Sequence, residues 1–185
     1  MSSLKKYYGY GTAVLTVVFC ISVGMPYWIH VTGGKTIGMF ASSSEGTDAT
    51  FKTVCSDEFS EMECGYLHSS RISAVLSIIF GGIATGVYLL PPAVFSALPT
   101  FLALSASCFQ MIFSIIAAVL WYYFKNKYYD DDGVNREYYT PEAGDLTFDA
   151  AFYLWVIGSI ASTLMTFSGF YLLSTYGKSL DHARH

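Results

Sequence analysis

Four long apolar stretches, separated by polar segments, dominate the pattern of the chain. Each is about 20 residues long, the length at which a helix rising ~1.5 Å per residue crosses ~30 Å of hydrocarbon. Apart from a few residues at their ends, none of them contains Asp, Glu, Lys, Arg or His. The stretches therefore predict transmembrane helices over residues 10–28, 72–90, 100–124 and 150–173.

The segments between the four stretches differ in length. A long loop over residues 29–71 is followed by a short uncharged turn and by a second loop over residues 125–149. Pro91, Pro92 and Pro99 bracket the turn. Because a proline cannot continue the helix before it, spans two and three are predicted to form an antiparallel hairpin. Both loops then lie on one side of the membrane and both termini on the other.

The first loop mixes β-branched and aromatic residues with clusters of Gly and Ser, as in VTGGKTIGMFASSSEGTDATF. This pattern predicts short strands joined by turns, and hence a small sheet outside the membrane. The second loop is acidic and holds few apolar side chains, so we expect packing on the first loop to order it. The predicted fold is an all-α membrane protein, a single four-span domain over residues 1–185, with a small β-sheet from the first loop.

Composition agrees with a chain that resides in the bilayer. The protein has 185 residues, enough for one domain, of which 53% are hydrophobic and 13% charged. These fractions lie outside the usual range of soluble globular proteins, so the excess apolar surface is expected to face lipid. Aromatic residues gather at the span ends, where amphipathic rings settle at the lipid–water boundary. These residues are Tyr7, Tyr8, Tyr10, Tyr27, Trp28, Trp121, Tyr122 and Tyr123.

Two cysteines nine positions apart, in the segment TVCSDEFSEMECGY, are the most distinctive chemistry of the first loop. A zinc site would need further Cys or His at suitable spacing, and a calcium loop would need regular ligands and a turn glycine. A redox enzyme would normally carry a closer CxxC pair. The spacing is better suited to a structural disulfide between Cys55 and Cys64, worth ~2–3 kcal/mol in the loop-closure model. We expect no metal site.

Two opposing arguments bear on the orientation in the membrane. Lys and Arg number six in the two loops and four outside them, a count that does not favour cytoplasmic termini. Lys5 and Lys6, however, directly precede the first span, which usually dominates orientation, and a disulfide requires an oxidising compartment. That span is too long, and lacks the small-residue cleavage site, for a removed signal peptide. We expect a multi-pass protein of the plasma membrane with both termini cytoplasmic.

No catalytic or cofactor-binding arrangement is visible. The histidines lie at span edges, in loops or in the tail, so none could ligate a haem inside the bundle. The spans carry no ionisable side chain of the kind that pumps use, and no nucleophile motif or phosphate loop occurs. Gln110 is the strongest polar group within a span and is expected to hydrogen-bond a neighbouring helix. We expect a protein that is not an enzyme and binds no cofactor.

Gly82 and Gly86 form a small-xxx-small pattern in the second span. Small residues at this spacing let two helix backbones approach closely where dispersion drives the packing. Two roles are open, packing inside one four-helix bundle and dimerisation. Because the pattern is common inside such bundles, we expect the first.

The order of residues around the first loop resembles that of the claudin and peripheral-myelin-protein superfamily. There, a Trp after the first span is followed by Gly-Leu-Trp, by two cysteines and by an Arg at the start of the second helix. Trp28 would match the first Trp, and Arg71 the Arg. The other matches are Gly38 for the glycine, Met39 and Phe40 for Leu-Trp, and Cys55 and Cys64 for the disulfide.

The chain departs from the claudin pattern in two places. Phe40 replaces the second Trp, and fourteen residues separate it from Cys55 where claudins have very few. The four-span amastins of trypanosomatid parasites are similar only in layout. The chain thus resembles a divergent claudin-like tetraspan, and the resemblance implies a left-handed four-helix bundle beneath a small extracellular sheet stapled by the disulfide.

Members of this superfamily seal or perforate cell contacts, compact membranes, or serve as auxiliary subunits of channels. The resemblance implies a structural protein that associates through its extracellular loops with itself or with other membrane proteins. The alternative is an auxiliary or assembly subunit of a larger membrane complex or channel. The acidic loops repel anions, so no nucleic acid is expected as a partner. The tail SLDHARH lacks the hydrophobic last residue that PDZ domains capture, so no PDZ scaffold is expected either.

Overall fold

The computed structural model describes residues 2–31, 35–44, 47–52, 61–89, 97–130 and 146–182. Its helices are α1 (Ser2–Gly24), α2 (Glu61–Leu89), α3 (Ala97–Asp130) and α4 (Ala150–His182). Each of the four contains a segment long and apolar enough to cross a membrane. The prediction of an integral, four-span membrane protein is therefore confirmed.

The helix ends differ from the predicted span ends where polar residues continue or stop a helix. α2 begins at Glu61, well before the predicted residue 72, because its first turns are polar and an apolar window cannot detect them. α1 ends at Gly24, before the predicted residue 28, since Pro26 cannot continue it. α3 extends beyond its apolar segment at both ends, and α4 extends beyond its own at the C-terminal end.

Five short strands form one antiparallel sheet. They are β1 (Ile29–Val31), β2 (Lys35–Ile37), β3 (Ala41–Ser44), β4 (Thr47–Lys52) and β5 (Leu146–Phe148), in the order β4-β3-β2-β1-β5. The first four strands come from the first loop, which confirms the predicted small sheet. β5 comes from the second loop, and its Phe148 pairs with Ile29 of β1. The second loop therefore packs on the first by backbone pairing of β5 with β1.

A seven-residue repeat of small residues joins α2 to α3. The buried positions that follow this repeat are Ser70, Ala74, Ser77, Gly81 and Ala84 on α2 and Ala103, Ser107, Gln110, Ser114 and Ala117 on α3. The hydroxyl of Ser70 donates to the carbonyl of Ala117, and that of Ser77 to the carbonyl of Gln110, each at 3.1 Å. Spacing of three and four residues is characteristic of left-handed packing, in which helices cross at about 20°.

The buried apolar residues form two groups along the bundle. We call the end that carries the sheet the loop side and the opposite end the terminal side. The loop-side group is large and aromatic, and it includes Phe19, Trp121 and Trp155. The terminal-side group is small and is built around Ala84 and Ala103. Buried Ser, Thr and Gln side chains fill the space between them.

Gly82 and Gly86 do not take part in this packing. Both are exposed, and a Cβ added at either position would meet no atom within 4 Å. Their neighbour Gly81 instead faces the bundle, where an added Cβ would collide with the side chains of Gln110 and Thr16. The expectation that Gly82 and Gly86 pack inside the bundle of one chain is therefore wrong. Because α2 is rotated about its axis so that Gly81 faces the bundle, Gly82 and Gly86 face outward.

Candidate functional site

The backbone of Trp28 lies between the two loops. Its amide donates to the carbonyl of Ile37 at 3.2 Å, and its carbonyl accepts from the amide of Asp149 at 3.0 Å. One residue earlier, the carbonyl of Tyr27 accepts from the amide of Ala151 at 2.9 Å. The end of α1, the sheet and the start of α4 are consequently joined at one point.

The indole of Trp28 is fully buried, with 0% of its surface exposed. Its Nε1 donates to the carbonyl of Ser22 at 2.7 Å, which satisfies one of the last carbonyls of α1. The ring centroid lies 5.2 Å from that of Trp121 and 5.7 Å from that of Trp155. Such edge-on and tilted pairs stabilise beyond simple burial, by about 0.5–1.5 kcal/mol each. Trp28 is thus the centre of an aromatic layer beneath the sheet.

Arg71 holds the connection between β2 and β3 against α2. Its Nε donates to the backbone carbonyl of Met39 at 2.6 Å, and its guanidinium carbon lies 5.4 Å from the ring centroid of Phe40. Met39 itself is fully buried and belongs to the same core group as Trp28. Phe40 is partly exposed and receives the cation on its face. A phenyl ring at position 40 is therefore sufficient for this contact.

The second loop adds a second contact between a cation and an aromatic ring, like that of Arg71 with Phe40. The ring of Phe148 stacks on Phe152 with centroids 4.0 Å apart, and the ammonium of Lys125 lies 4.3 Å from the centroid of Phe148. Lys125 lies in α3, whereas Phe152 lies in the first turn of α4. A cation on the loop-side half of α2 and another on that of α3 therefore both meet aromatic rings, of which Phe148 belongs to β5 and Phe40 directly precedes β3.

The structure brings most of the predicted motif residues together and separates the others. Trp28, buried Gly38, Met39, Phe40 and Arg71 lie around the loop-side core and the adjoining sheet. Gly82 and Gly86 lie on the terminal-side half of α2. Cys64 is half-buried in the second turn of α2. Cys55 lies outside the described residues, so its bond to Cys64 remains a prediction.

Two important core residues were misjudged from the sequence. Trp28 and Trp121 were expected at the lipid–water boundary, whereas both are fully buried. Tyr7 and Tyr10 at the terminal side, and Tyr27, Tyr122 and Tyr123 at the loop side, are exposed at the span ends as predicted. Trp155 was not singled out, although its spacing of three from Phe152 and four from Ser159 is that of a buried helix face.

The described residues of this site form packing contacts and hydrogen bonds rather than a metal or redox centre. Within the ranges described, no three His, Cys, Asp or Glu side chains lie close enough together to hold a metal ion. The thiols of Cys20 and Cys108 are free and lie in the membrane-spanning segments of α1 and α3. The loop side therefore presents a hydrogen-bonded sheet fixed to an aromatic core.

No protein-family model and no curated protein matches this sequence. The resemblance to claudins accordingly stays a prediction from the sequence.

Proposed function

We propose that this protein is a non-enzymatic membrane protein that acts by association, in the manner of claudins, through its extracellular loops at cell contacts or in membrane assemblies. Its partner is a second copy of itself or another membrane protein. The observation that carries the proposal is the joining of both loops in one sheet through Trp28. A loop surface fixed in this way needs little ordering on binding, which reduces the entropic cost of association.

The proposal includes a definite topology. Both termini are cytoplasmic, the sheet is extracellular at the plasma membrane, and a disulfide joins Cys55 to Cys64. The two lysines before the first span and the need of a disulfide for an oxidising compartment support this orientation.

Mixed cultures test the proposal directly. Cells that express the protein with a cytoplasmic fluorescent tag are mixed with untagged expressing cells and with non-expressing cells. We expect enrichment at contacts between two expressing cells and none at contacts with non-expressing cells. The variant Arg71→Met, which detaches the segment around Met39 from α2, is expected to reach the surface and lose the enrichment.

His68→Ala provides the matched control, since His68 lies one turn before Arg71 on α2 and its side chain is exposed. This variant should behave as the wild type does. An even distribution over all cell contacts would contradict association across cells, and an epitope in the first loop that is accessible only after permeabilisation would contradict the proposed topology.

A second candidate function is that of an auxiliary or assembly subunit of a larger membrane complex. The observation that favours it is the outward face of α2, where Gly82 and Gly86 leave a notch that no described residue fills. Backbone exposed in such a notch lets a foreign helix approach closely. The partner helix would then contact α2 within the membrane and leave the sheet free.

Purification in a mild detergent distinguishes the two functions. Co-purification of an unrelated membrane protein in stoichiometric amount, and its loss from the Gly82→Ile variant, would favour the subunit function. Homo-oligomers that persist in Gly82→Ile and are lost in Arg71→Met favour association through the loops. Val14→Phe, which adds bulk at an exposed position of α1, serves as the control for a change on a different lipid-facing surface.

A further inference from the structure

A narrow cleft lies between all four helices in the terminal-side half of the bundle. From Tyr8 to Leu15 on α1 it extends over seven residues, which corresponds to ~10 Å along a helix. Its wall consists of Tyr8, Thr12, Leu15, Tyr88, Leu104, Ser107, Gln110, Ser162, Met165 and Thr166.

The carboxamide of Gln110 is incompletely bonded at the deep end of this cleft. Its Nε2 donates to the hydroxyl of Thr16 at 3.4 Å. Its Oε1 is buried and has no hydrogen-bond donor in the part of the chain that the structure describes, and the whole side chain is 0% exposed. An acceptor left without a donor at this depth costs about 1–3 kcal/mol, so a donor that reached it would be bound favourably.

Three hydroxyl groups of the cleft wall already donate to backbone carbonyls. Thr12 donates to the carbonyls of Tyr8 and Gly9, and Ser107 to the carbonyl of Ala103, all at 3.0 Å. Thr166 donates to the carbonyl of Ser107 at 3.4 Å. With their protons engaged by backbone, these three hydroxyl groups do not donate to Oε1 of Gln110 as they stand.

The rest of the lining limits the class of ligand. Leu15, Leu104 and Met165 are apolar, and no Asp, Glu, Lys, Arg or His lines the cleft. A cation would lack a counter-charge at membrane depth, where charges are costly. The lining therefore matches an uncharged molecule with an apolar body and a hydroxyl group that donates one hydrogen bond.

Tyr8 lines the cleft at the terminal side and also contacts α4. The hydroxyl of Tyr8 lies 2.7 Å from that of Ser168, an exposed pair that links α1 to α4. As the side chains stand, the cleft is too narrow for a water molecule, so a ligand enters only when side chains move. Tyr8 can move once its bond to Ser168 breaks, and Met165 is unbranched and adaptable.

From this geometry we propose that the cleft is a binding site for a small uncharged alcohol or phenol, or for the hydroxyl-bearing end of a membrane lipid. The hydroxyl donates to Oε1 of Gln110, and the apolar body lies against Leu104 and Met165. Tyr8 opens and closes the entrance. This site is independent of the loops and of the association proposed for them.

A matched pair of ligands tests the site on the unmodified protein in nanodiscs. The probes are a benzyl alcohol that carries a photoactivatable diazirine on its ring and the methyl ether of the same compound, which cannot donate. We expect saturable labelling by the alcohol on cleft residues such as Tyr8 or Met165. Loss of one neutral hydrogen bond should weaken the ether about fivefold to tenfold.

Variants of the protein give an independent measurement. Gln110→Leu removes the acceptor and should reduce labelling by the alcohol to the level of the ether. Ser162→Leu fills the cleft and should reduce labelling by both probes. Thr163→Val is the matched control, because the Thr163 hydroxyl donates to the carbonyl of Ser159 in its own helix and does not line the cleft. It should leave labelling unchanged.

The outcomes are distinct even if Gln110→Leu fails to fold, because the ligand pair needs no variant. Equal labelling by alcohol and ether, or labelling confined to exposed helix faces, overturns the proposal. A parallel arm uses nanodiscs that contain a photoactivatable sterol or diacylglycerol. Labelling of the same residues there identifies a lipid hydroxyl as the source, and labelling by benzyl alcohol alone identifies a free alcohol.

Discussion

The Nε atom of Arg71 lies 2.6 Å from the backbone oxygen of Met39, which joins α2 to the connection between β2 and β3. The same guanidinium lies over the ring of Phe40. One side chain thus connects a membrane helix to the sheet by a charge-assisted hydrogen bond and a cation–π contact.

Arg71→Met should therefore destabilise the protein by ~2 kcal/mol, because a bond from a charged donor is lost and the Met39 carbonyl remains in a buried setting. Arg71→Lys should recover only part of this, since an ammonium cannot reproduce the position of Nε. The measurement is the thermal unfolding midpoint in detergent, which changes by about 2–4 °C per kcal/mol for a chain of this size. An Arg71→Lys midpoint equal to that of the wild type would contradict the assigned bond.

The three buried indoles differ in their hydrogen bonds and allow a matched comparison. Trp28 and Trp155 donate to the carbonyls of Ser22 and Ser114 at 2.7 and 2.8 Å, whereas Nε1 of Trp121 has no acceptor in the described part of the chain. Replacement of Trp28 or Trp155 by Phe removes ring volume and a hydrogen bond. Trp121→Phe removes ring volume and a buried donor that has no partner, so no hydrogen bond is lost. We expect Trp121→Phe to be milder by ~1 kcal/mol in the same unfolding assay. Equal losses for all three would show that volume alone decides.

Neighbouring glycines on α2 should respond in opposite ways. Gly81→Ala places a methyl group against the side chains of Gln110 and Thr16 and should cost ~1–3 kcal/mol through overpacking. Gly82→Ala meets nothing and should be neutral or slightly stabilising, because Ala is the better helix former. Comparison of the two unfolding midpoints shows which face of α2 is buried. A lower midpoint for Gly82→Ala than for Gly81→Ala would show that the face carrying Gly82, and not that of Gly81, packs in the bundle.

The residue before α4 offers a test of the junction at Trp28. Oδ1 of Asp149 accepts from the amide of Ala150 at 2.6 Å, and its carboxylate is next to the positive end of the helix dipole. Asp149→Ala should cost ~1 kcal/mol, and Asp149→Asn, which keeps an acceptor, should cost less. Hydrogen exchange at residues 146–148 is the second readout, since fraying of α4 should speed exchange in β5. Unchanged hydrogen exchange in Asp149→Ala would show that the stability of β5 does not depend on the cap of α4.

Counting thiols tests the predicted disulfide. The chain has four cysteines, and those at positions 20 and 108 are free. A maleimide applied to the denatured, unreduced protein should therefore add two groups per chain, and four after reduction. Peptide mapping should place the two reduction-dependent groups on Cys55 and Cys64. Four additions without reduction would eliminate the disulfide and, with it, one argument for the orientation.

The transmembrane helices and the sheet were predictable because each leaves a local signal. A charge-free stretch of helical length and a run of β-branched residues between glycines can both be recognised in a short window. The pairing of β5 with β1 could not be predicted in register, because it joins residues that are far apart in the chain. Only the general packing of the second loop on the first could be expected.

The glycine pattern shows why the packing face was harder to assign. Gly82 and Gly86 fit a small-xxx-small motif, yet the buried row of α2 runs through Ser77, Gly81 and Ala84. The better signal was the seven-residue repeat of Ser, Ala and Gly, which matches small residues on α3. A motif of two residues cannot fix the rotation of a helix, whereas a repeat over several turns can. The residues around Arg71 were singled out by their resemblance to the claudin pattern, and periodicity would not have identified them.

The position of β5 also sets an order of assembly. β1 (Ile29–Val31) is synthesised long before its partner β5 (Leu146–Phe148), and α2 and α3 are made in between. Until β5 arrives, β1 is an open edge and the carbonyl of Trp28 lacks the amide of Asp149. Open edges recruit other strands, so the interval before the fourth helix inserts is the period when the nascent chain is most exposed to aggregation. Chains that terminate before residue 146 would remain in that state, and quality control should remove them faster than full-length variants with a damaged core.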